Sequence, residues 1–245
     1  MGTETKPSPV VSHRRRAPDD DPVARALAEV DWEAALPKDR GPFLRTRLAL
    51  KRAIDVGLSG LALLLLLPVF VVLGVLIVID SGGPIFYPWR VIGYRGRRFT
   101  GYKLRTMVPD ADQLKDHLAH LNEMQGPVFK MRDDPRVTAL GRLLRKYSLD
   151  ELPQLWSVLV GDMSLVGPRP LSAEEFIEAT PLERRKLSVV PGITCIWQVS
   201  GRNEIDSFAD WVRLDLEYIR TWSLTRDVAI LLRTLPVVVR GTGAY

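Results

Sequence analysis

Residues 56–79 contain no charged side chain, and this run constrains the fold more than any other feature of the chain. As an α-helix, its roughly 24 residues extend about 36 Å, enough to cross a hydrocarbon core of about 30 Å. The run starts too far into the chain, is too long and lacks the small-residue cleavage site of a signal peptide. A buried helix of a soluble protein is the plainer alternative, and the length and purity of the run count against it. Near its middle, Pro68 removes a backbone hydrogen bond and clashes with the preceding turn, at a cost of about 3 kcal/mol. Arg45, Arg47, Lys51 and Arg52 precede the run, and Arg90, Arg95, Arg97 and Arg98 follow it. A spanning helix would place one basic cluster outside, against the enrichment of Lys and Arg on the cytoplasmic side. A helix that enters, breaks at Pro68 and returns keeps both clusters on one face. Re-entry is therefore the expected arrangement, with a kinked spanning helix as its competitor.

The remainder reads as ordinary folded protein. Of 245 residues, 46% are hydrophobic and 26% charged, so neither a disordered nor a collagen-like chain fits. A net charge of +5 suits an anionic partner: nucleic acid, phosphate esters or an acidic membrane. The single cysteine, Cys195, cannot form an internal disulfide, which fits a reducing compartment. Residues 1–44 carry Pro and charge blocks and read as a disordered tail, with a weak amphipathic helix over 23–36 around Leu27, Val30 and Trp32. Residues 45–80 are the membrane segment, and residues 81–245 a catalytic-sized domain. Within that domain, 85–92 and 99–104 predict a β-hairpin, 111–124 a helix, 135–160 mostly helix and 191–199 a strand. Segments 207–220 and 227–239 predict two closing helices. The fold class is thus α+β, mainly helical. Leu140, Leu143, Leu144 and Tyr147 share one helical face, with Arg142, Arg145 and Lys146 around it. That pattern suits a helix on a membrane surface and equally a core helix with a basic solvent face.

The densest polar string is Ser148-Leu149-Asp150-Glu151-Leu152-Pro153-Gln154-Leu155. Pro153 requires a helix to begin near 148–150, which puts both carboxylates at a helix N-terminus, where the dipole favours anions. Ser148 and Glu151 also fit a capping box, a purely structural reading. An ionised Asp at such a place can be a nucleophile toward phosphorus, and the adjacent Glu can hold a divalent cation. Arg169 lies between two prolines and suits bidentate phosphate binding; Arg202 sits in a glycine-containing loop. Asp215, Tyr218 and Asp227 fall among apolar residues of the closing helices. His13, His117 and His120 show no metal-ligand spacing. Glycine-rich phosphate loops, nucleophile elbows and cysteine clusters are missing from the sequence, which argues against soluble nucleotide hydrolases and zinc proteins.

The strings 134–138, 145–155, 161–170 and 191–203 together resemble the bacterial sugar transferases, the monotopic polyprenyl-phosphate phosphoglycosyl transferases that start undecaprenyl-linked glycan assembly. The resemblance covers about 48–239. It implies a re-entrant membrane helix broken at Pro68 and a catalytic domain on the cytoplasmic face of the bacterial inner membrane. It implies that Asp150 attacks the sugar-bearing phosphate of a UDP-sugar, expels UMP and forms a phosphosugar-aspartyl intermediate that undecaprenyl phosphate then attacks. Glu151, with Asp150, would hold Mg2+; Arg145, Arg169 and Arg202 would bind phosphate; Asp134, Asp215, Tyr218 and Asp227 would support the site. The implied partners are the UDP-sugar, undecaprenyl phosphate and membrane lipids, with a homodimer allowed and no nucleic acid. A glucose or galactose 1-phosphate, destined for an exopolysaccharide or capsule, is the leading cargo.

This chain departs from the family pattern in two motifs. Trp89 and Val91 stand where the hairpin usually reads Gln-x-Arg-x-Gly, and Cys195 replaces the last glycine of Pro-Gly-Ile-Thr-Gly. Both departures bear on the donor pocket. The competing reading from a different class is a non-catalytic, membrane-anchored basic scaffold indifferent to Asp150. A nucleic-acid-binding protein would explain the charge but not the apolar run.

Overall fold

The computed structural model describes residues 21–37, 41, 43–201 and 205–241. Arg202, predicted from sequence as a phosphate ligand, lies outside them, as do His13 and most of the predicted tail. The part of that tail within view is docked. Helix α1 (Pro22–Ala28) starts at an Asp21 cap and buries Val23 and Ala26 in the main core; the 3-10 turn Glu33–Ala35 buries Ala35. Arg184 fixes this arm by donating to the carbonyl of Ala26 at 3.1 Å and to Glu29 at 2.7 Å, and Arg98 and Arg95 pair with Asp21 and Glu33. Within the described part of the tail, the amphipathic helix expected around 23–36 forms over Pro22–Ala28, and its apolar residues and three ion pairs hold 21–36 on the body.

Helix α2 (Leu44–Ser81) contains the whole apolar run, and Pro68 lies inside it. Helical backbone continues across Pro68, whose missing N–H interrupts one bond without ending the element. The ends of α2 are docked; between them Ala62, Leu63, Leu66 and Phe70 pack on the body while the opposite face is bare. Near the start, Arg52 donates to the carbonyls of Val158 (2.5 Å) and Leu159 (2.8 Å), and Asp55 accepts from the N–H of Leu165. Toward the other end, Leu73 and Ile77 pack with Leu104 and Leu144. There the Arg105 guanidinium clamps the carbonyls of Ser81, Gly82 and Gly83 at 3.0, 2.7 and 2.5 Å. Around Pro68, by contrast, Leu64, Leu65, Leu67, Val71 and Val72 are 58–70% exposed. So much bare apolar surface is what a lipid-facing segment presents.

The body follows in chain order. Strand β1 (Phe86–Ile92) pairs antiparallel with β2 (Arg98–Leu104), with Trp89 opposite Gly101, as the hairpin prediction required. Next come α3 (Ala111–Leu118) and α4 (Ala139–Lys146), the latter capped by Thr138. The predicted helix over 111–124 therefore ends early, its last turn being the 3-10 helix Ala119–Leu121. A 3-10 helix over Leu149–Gln154 leads into α5 (Leu155–Val160). Strands β3 (Ser164–Val166) and β4 (Leu171–Ser172) follow, then α6 (Ala173–Glu178) and α7 (Pro181–Arg184). Strand β4 extends the hairpin sheet in the order β2-β1-β4, and β3 pairs in parallel with β5 (Gly192–Thr194). The predicted strand over 191–199 is thus only three residues long, because residues 197–199 coil into a 3-10 turn. Helices α8 (Phe208–Arg220) and α9 (Leu224–Arg240) close the fold. The main core gathers Val158, Phe176, Leu187, Phe208 and Ile219, with Trp197 and Trp211 stacked at 4.0 Å.

Candidate active site

The acidic pair occupies the first turn of the Leu149–Gln154 helix. The predicted capping box does not form: Ser148 makes no side-chain cap bond and sits in the left-handed region at φ 53°. A non-glycine residue there costs about 1–2 kcal/mol, and such strain concentrates at functional sites. Its effect is to fold the chain sharply from α4 into the acidic turn, so that Arg145, one turn earlier, faces the carboxylates. The Oε1 of Glu151 accepts from Lys103 Nζ at 2.8 Å.

Arg145 is held by its Nε bond to Thr106 Oγ1 at 3.0 Å. Burial pushes the guanidinium below its usual range, while Asp150, Asp134 and Glu151 oppose that shift and Arg136 adds to it. Helix α4 reaches this position because Gly141 lets it lie against β2's continuation; a Cβ at Gly141 would fall 2.0 Å from the Thr106 carbonyl oxygen. Asp134 lies deeper, in a fork with Arg136 (Nη2 to Oδ2, 2.7 Å). Burial alone would raise the Asp134 carboxyl, but the Arg136 bonds outweigh it and hold the group below the usual range.

The structure brings Asp134, Arg145, Asp150 and Glu151 into one electrostatic neighbourhood. Arg169, on the loop before β4, lies 3.5 Å from Glu175 and 5.7 Å from the centre of the Trp89 ring, which Lys103 also approaches, at 4.4 Å. Asp215 is elsewhere employed: it forms a fully buried ion pair with Lys186 at 2.7 Å, and burial raises its carboxyl against the opposing fields of Lys186 and Arg169. Tyr218 and Asp227 bond to each other at 2.8 Å, and Asp227 takes Lys51 of the membrane helix at 2.7 Å. These two tie α8 and α9 to the base of α2. Cys195 is buried, and burial followed by the field of Asp215 pushes its thiol well up, so it is not a reactive nucleophile.

Lys103, Lys186 and Arg105 escaped the sequence reading. Lys103 had a faint signal, a cation two residues after Gly101 on a predicted strand, but the β1–β2 register and the Ser148 turn are needed to set it on Glu151.

For a divalent cation, the described residues offer two adjacent carboxylates and no cluster of three or more His, Cys, Asp or Glu. That donor set fits Mg2+, which commonly takes one or two carboxylates and fills its shell with substrate phosphates and water.

An exposed apolar helix, on the same body as a half-buried acidic pair with Lys103 and Arg145 beside it, suits a membrane-associated protein. The comparisons narrow that class. The bacterial sugar transferase family model matches residues 46–241, so the chain belongs to that family and is a transferase by membership. The galactosyl transferase CpsE of Streptococcus agalactiae is 44% identical over 201 residues, 81% of this chain and 44% of that protein. The exopolysaccharide production protein ExoY of Rhizobium meliloti is 40% identical over 199 residues, 80% of this chain and 88% of ExoY. The undecaprenyl-phosphate galactose phosphotransferase of Salmonella typhimurium is 42% identical over 205 residues, 80% of this chain and 42% of that protein. The chain thus spans less than half of CpsE and of the Salmonella protein, and most of an ExoY.

Proposed function

We propose that this chain transfers a sugar 1-phosphate from a UDP-sugar to undecaprenyl phosphate, as the first membrane step of exopolysaccharide or related glycan assembly. The observation that carries the reading is the Asp150-Glu151 pair in the first turn of a helix continuous with α5, with the charge of Arg145 beside both carboxylates and the end of α5 bonded to the membrane helix. Asp150 attacks the sugar-bearing phosphorus; the bond to the UMP oxygen breaks, and UMP leaves with the electron pair. The resulting phosphosugar-aspartate is attacked by a phosphate oxygen of undecaprenyl phosphate, which releases Asp150 and forms the lipid diphosphate sugar. Arg145 and Arg169 hold and orient the phosphates, and Lys103 restrains Glu151. Mg2+, held by Glu151 with Asp150, supplies neutralisation of the diphosphate charge when bound.

The same reading places the body on the cytoplasmic face with α2 re-entrant. Both ends of α2 bond to one folded body, Arg52 and Asp55 at one and Ser81 to Gly83 at the other. A straight helix from 52 to 81 would carry its far end about 44 Å away, past the thickness of a hydrocarbon core. The relatives' names carry galactose and glucose, and either hexose 1-phosphate is a fitting cargo.

The test is UMP release by nanodisc-held protein given undecaprenyl phosphate, Mg2+ and a panel of UDP-sugars. Asp150→Asn should abolish release and the radiolabelled sugar-phosphate adduct. Full activity in that variant refutes the nucleophile, and no turnover with any donor favours a non-catalytic scaffold.

A further inference from the structure

The Trp89 indole is the point at which the two cationic halves of the site meet. On β2, Gly101 and Lys103 are two residues apart and so share a face of the sheet. Trp89 lies directly opposite Gly101 in the β1–β2 register, and a Cβ at Gly101 would come 3.7 Å from its Cε3. With no side chain at 101, the ring lies across the strand toward Lys103, whose Nζ is 4.4 Å from the ring centroid. That same ammonium donates to Glu151. From the loop before β4, the strand on the other side of β1, the Arg169 guanidinium comes to 5.7 Å from the ring while 3.5 Å from Glu175. Both separations lie within the range of attraction between a cation and an aromatic face.

A flexible lysine and an arginine beside an acidic pair would otherwise sample several rotamers. A rigid indole with two side-chain torsions restricts both at once, which is pre-organisation of charge for an anionic ligand. We propose that Trp89 is a positioning residue: it fixes Lys103 on Glu151 and Arg169 at a set distance from it, presenting a preformed cationic cradle to the diphosphate of the donor. This rests on the UDP-sugar reading above. Trp89 acts through these two cations and takes no part in bond making.

The test compares wild type, Trp89→Phe and Trp89→Leu as full-length protein in nanodiscs, with the UDP-sugar that gives the greatest UMP release. Trp89→Leu should raise the donor KM and lower kcat/KM about tenfold, while Trp89→Phe, which keeps a ring face, recovers most of the loss. A merely structural role would shrink the active fraction and so lower kcat at unchanged KM; that result overturns the proposal. So does a Leu variant within twofold of wild type, or Phe and Leu variants that are equally impaired. Should Trp89→Leu fail to fold, Trp89→Gln takes its place with the same expectations. If wild type releases no UMP from any donor, the transfer reading fails separately. Calorimetric binding of UDP with Mg2+ then decides on Trp89: about tenfold weaker binding in the Leu variant supports the cradle, and equal affinity refutes it.

Discussion

Replacing Lys186 by Met strands the Asp215 carboxylate in the core. Both charged groups are 1% exposed, 2.7 Å apart, and neither finds another hydrogen-bond partner among the described residues. Removing one member of such a pair costs about 3–5 kcal/mol, because the partner's charge stays buried without compensation. At about 2–4 °C per kcal/mol for a protein of this size, the apparent melting midpoint should fall by roughly 6–20 °C. The loss should depend on pH in a definite direction. Burial already raises Asp215 above 3.8 despite Lys186 and Arg169. Between 3.8 and its folded value, the native state binds a proton that the unfolded state has released, so stability falls as pH rises through that window. Without Lys186 the folded value climbs further and the window widens upward, with a slope of about 1.4 kcal/mol per pH unit. Lys186→Met should therefore be mildest near pH 5 and most damaging near pH 8. The double variant Lys186→Met, Asp215→Leu removes both charges and should recover most of the stability with little pH dependence. Thermal unfolding in nanodiscs, followed by tryptophan fluorescence, reads the effect; Trp211 lies one helical turn from Asp215. A single variant within 1 °C of wild type at pH 8, or a double variant as unstable as the single, refutes the reasoning.

Gly141→Ala should cost up to about 2 kcal/mol: overpacking of about 1–3 against the rigid Thr106 carbonyl, less about 1 regained in helix propensity. Because the same shift moves Arg145 away from Asp150, the UMP-release rate should drop more than the melting midpoint predicts; unchanged kinetics would detach Arg145 from the site. For topology, Arg47→Cys and Asp80→Cys each add one exposed thiol at an end of α2, while native Cys195 is buried. Both should react with a membrane-impermeant maleimide only after the cells are opened, and labelling of one end in intact cells would show that α2 spans.

Local sequence carries a good deal of this protein. The apolar run, the hairpin, the α4 face and the two closing helices are legible because periodicity and charge depend on neighbours a few residues away. The acidic pair is legible for the same reason: its chemistry lies in adjacent residues. Position in the chain, however, says nothing about which side chains meet across it. Lys103 joins Glu151 from 48 residues away and Lys51 reaches Asp227 across 176, contacts set by strand register and helix docking. Ser148 reads as a cap and serves as a strained turn, because packing of α4 on Thr106 decides the chain's direction there. Asp215 and Tyr218 read as site candidates and lie in buried networks, since burial is a property of the packed body. The sequence by itself determined that there would be a membrane-seeking helix and a carboxylate pair beside basic residues. Only the tertiary structure decided that both ends of that helix bond to the body carrying the pair, and that one indole sets the cations around it, because both depend on distances between segments far apart in the chain.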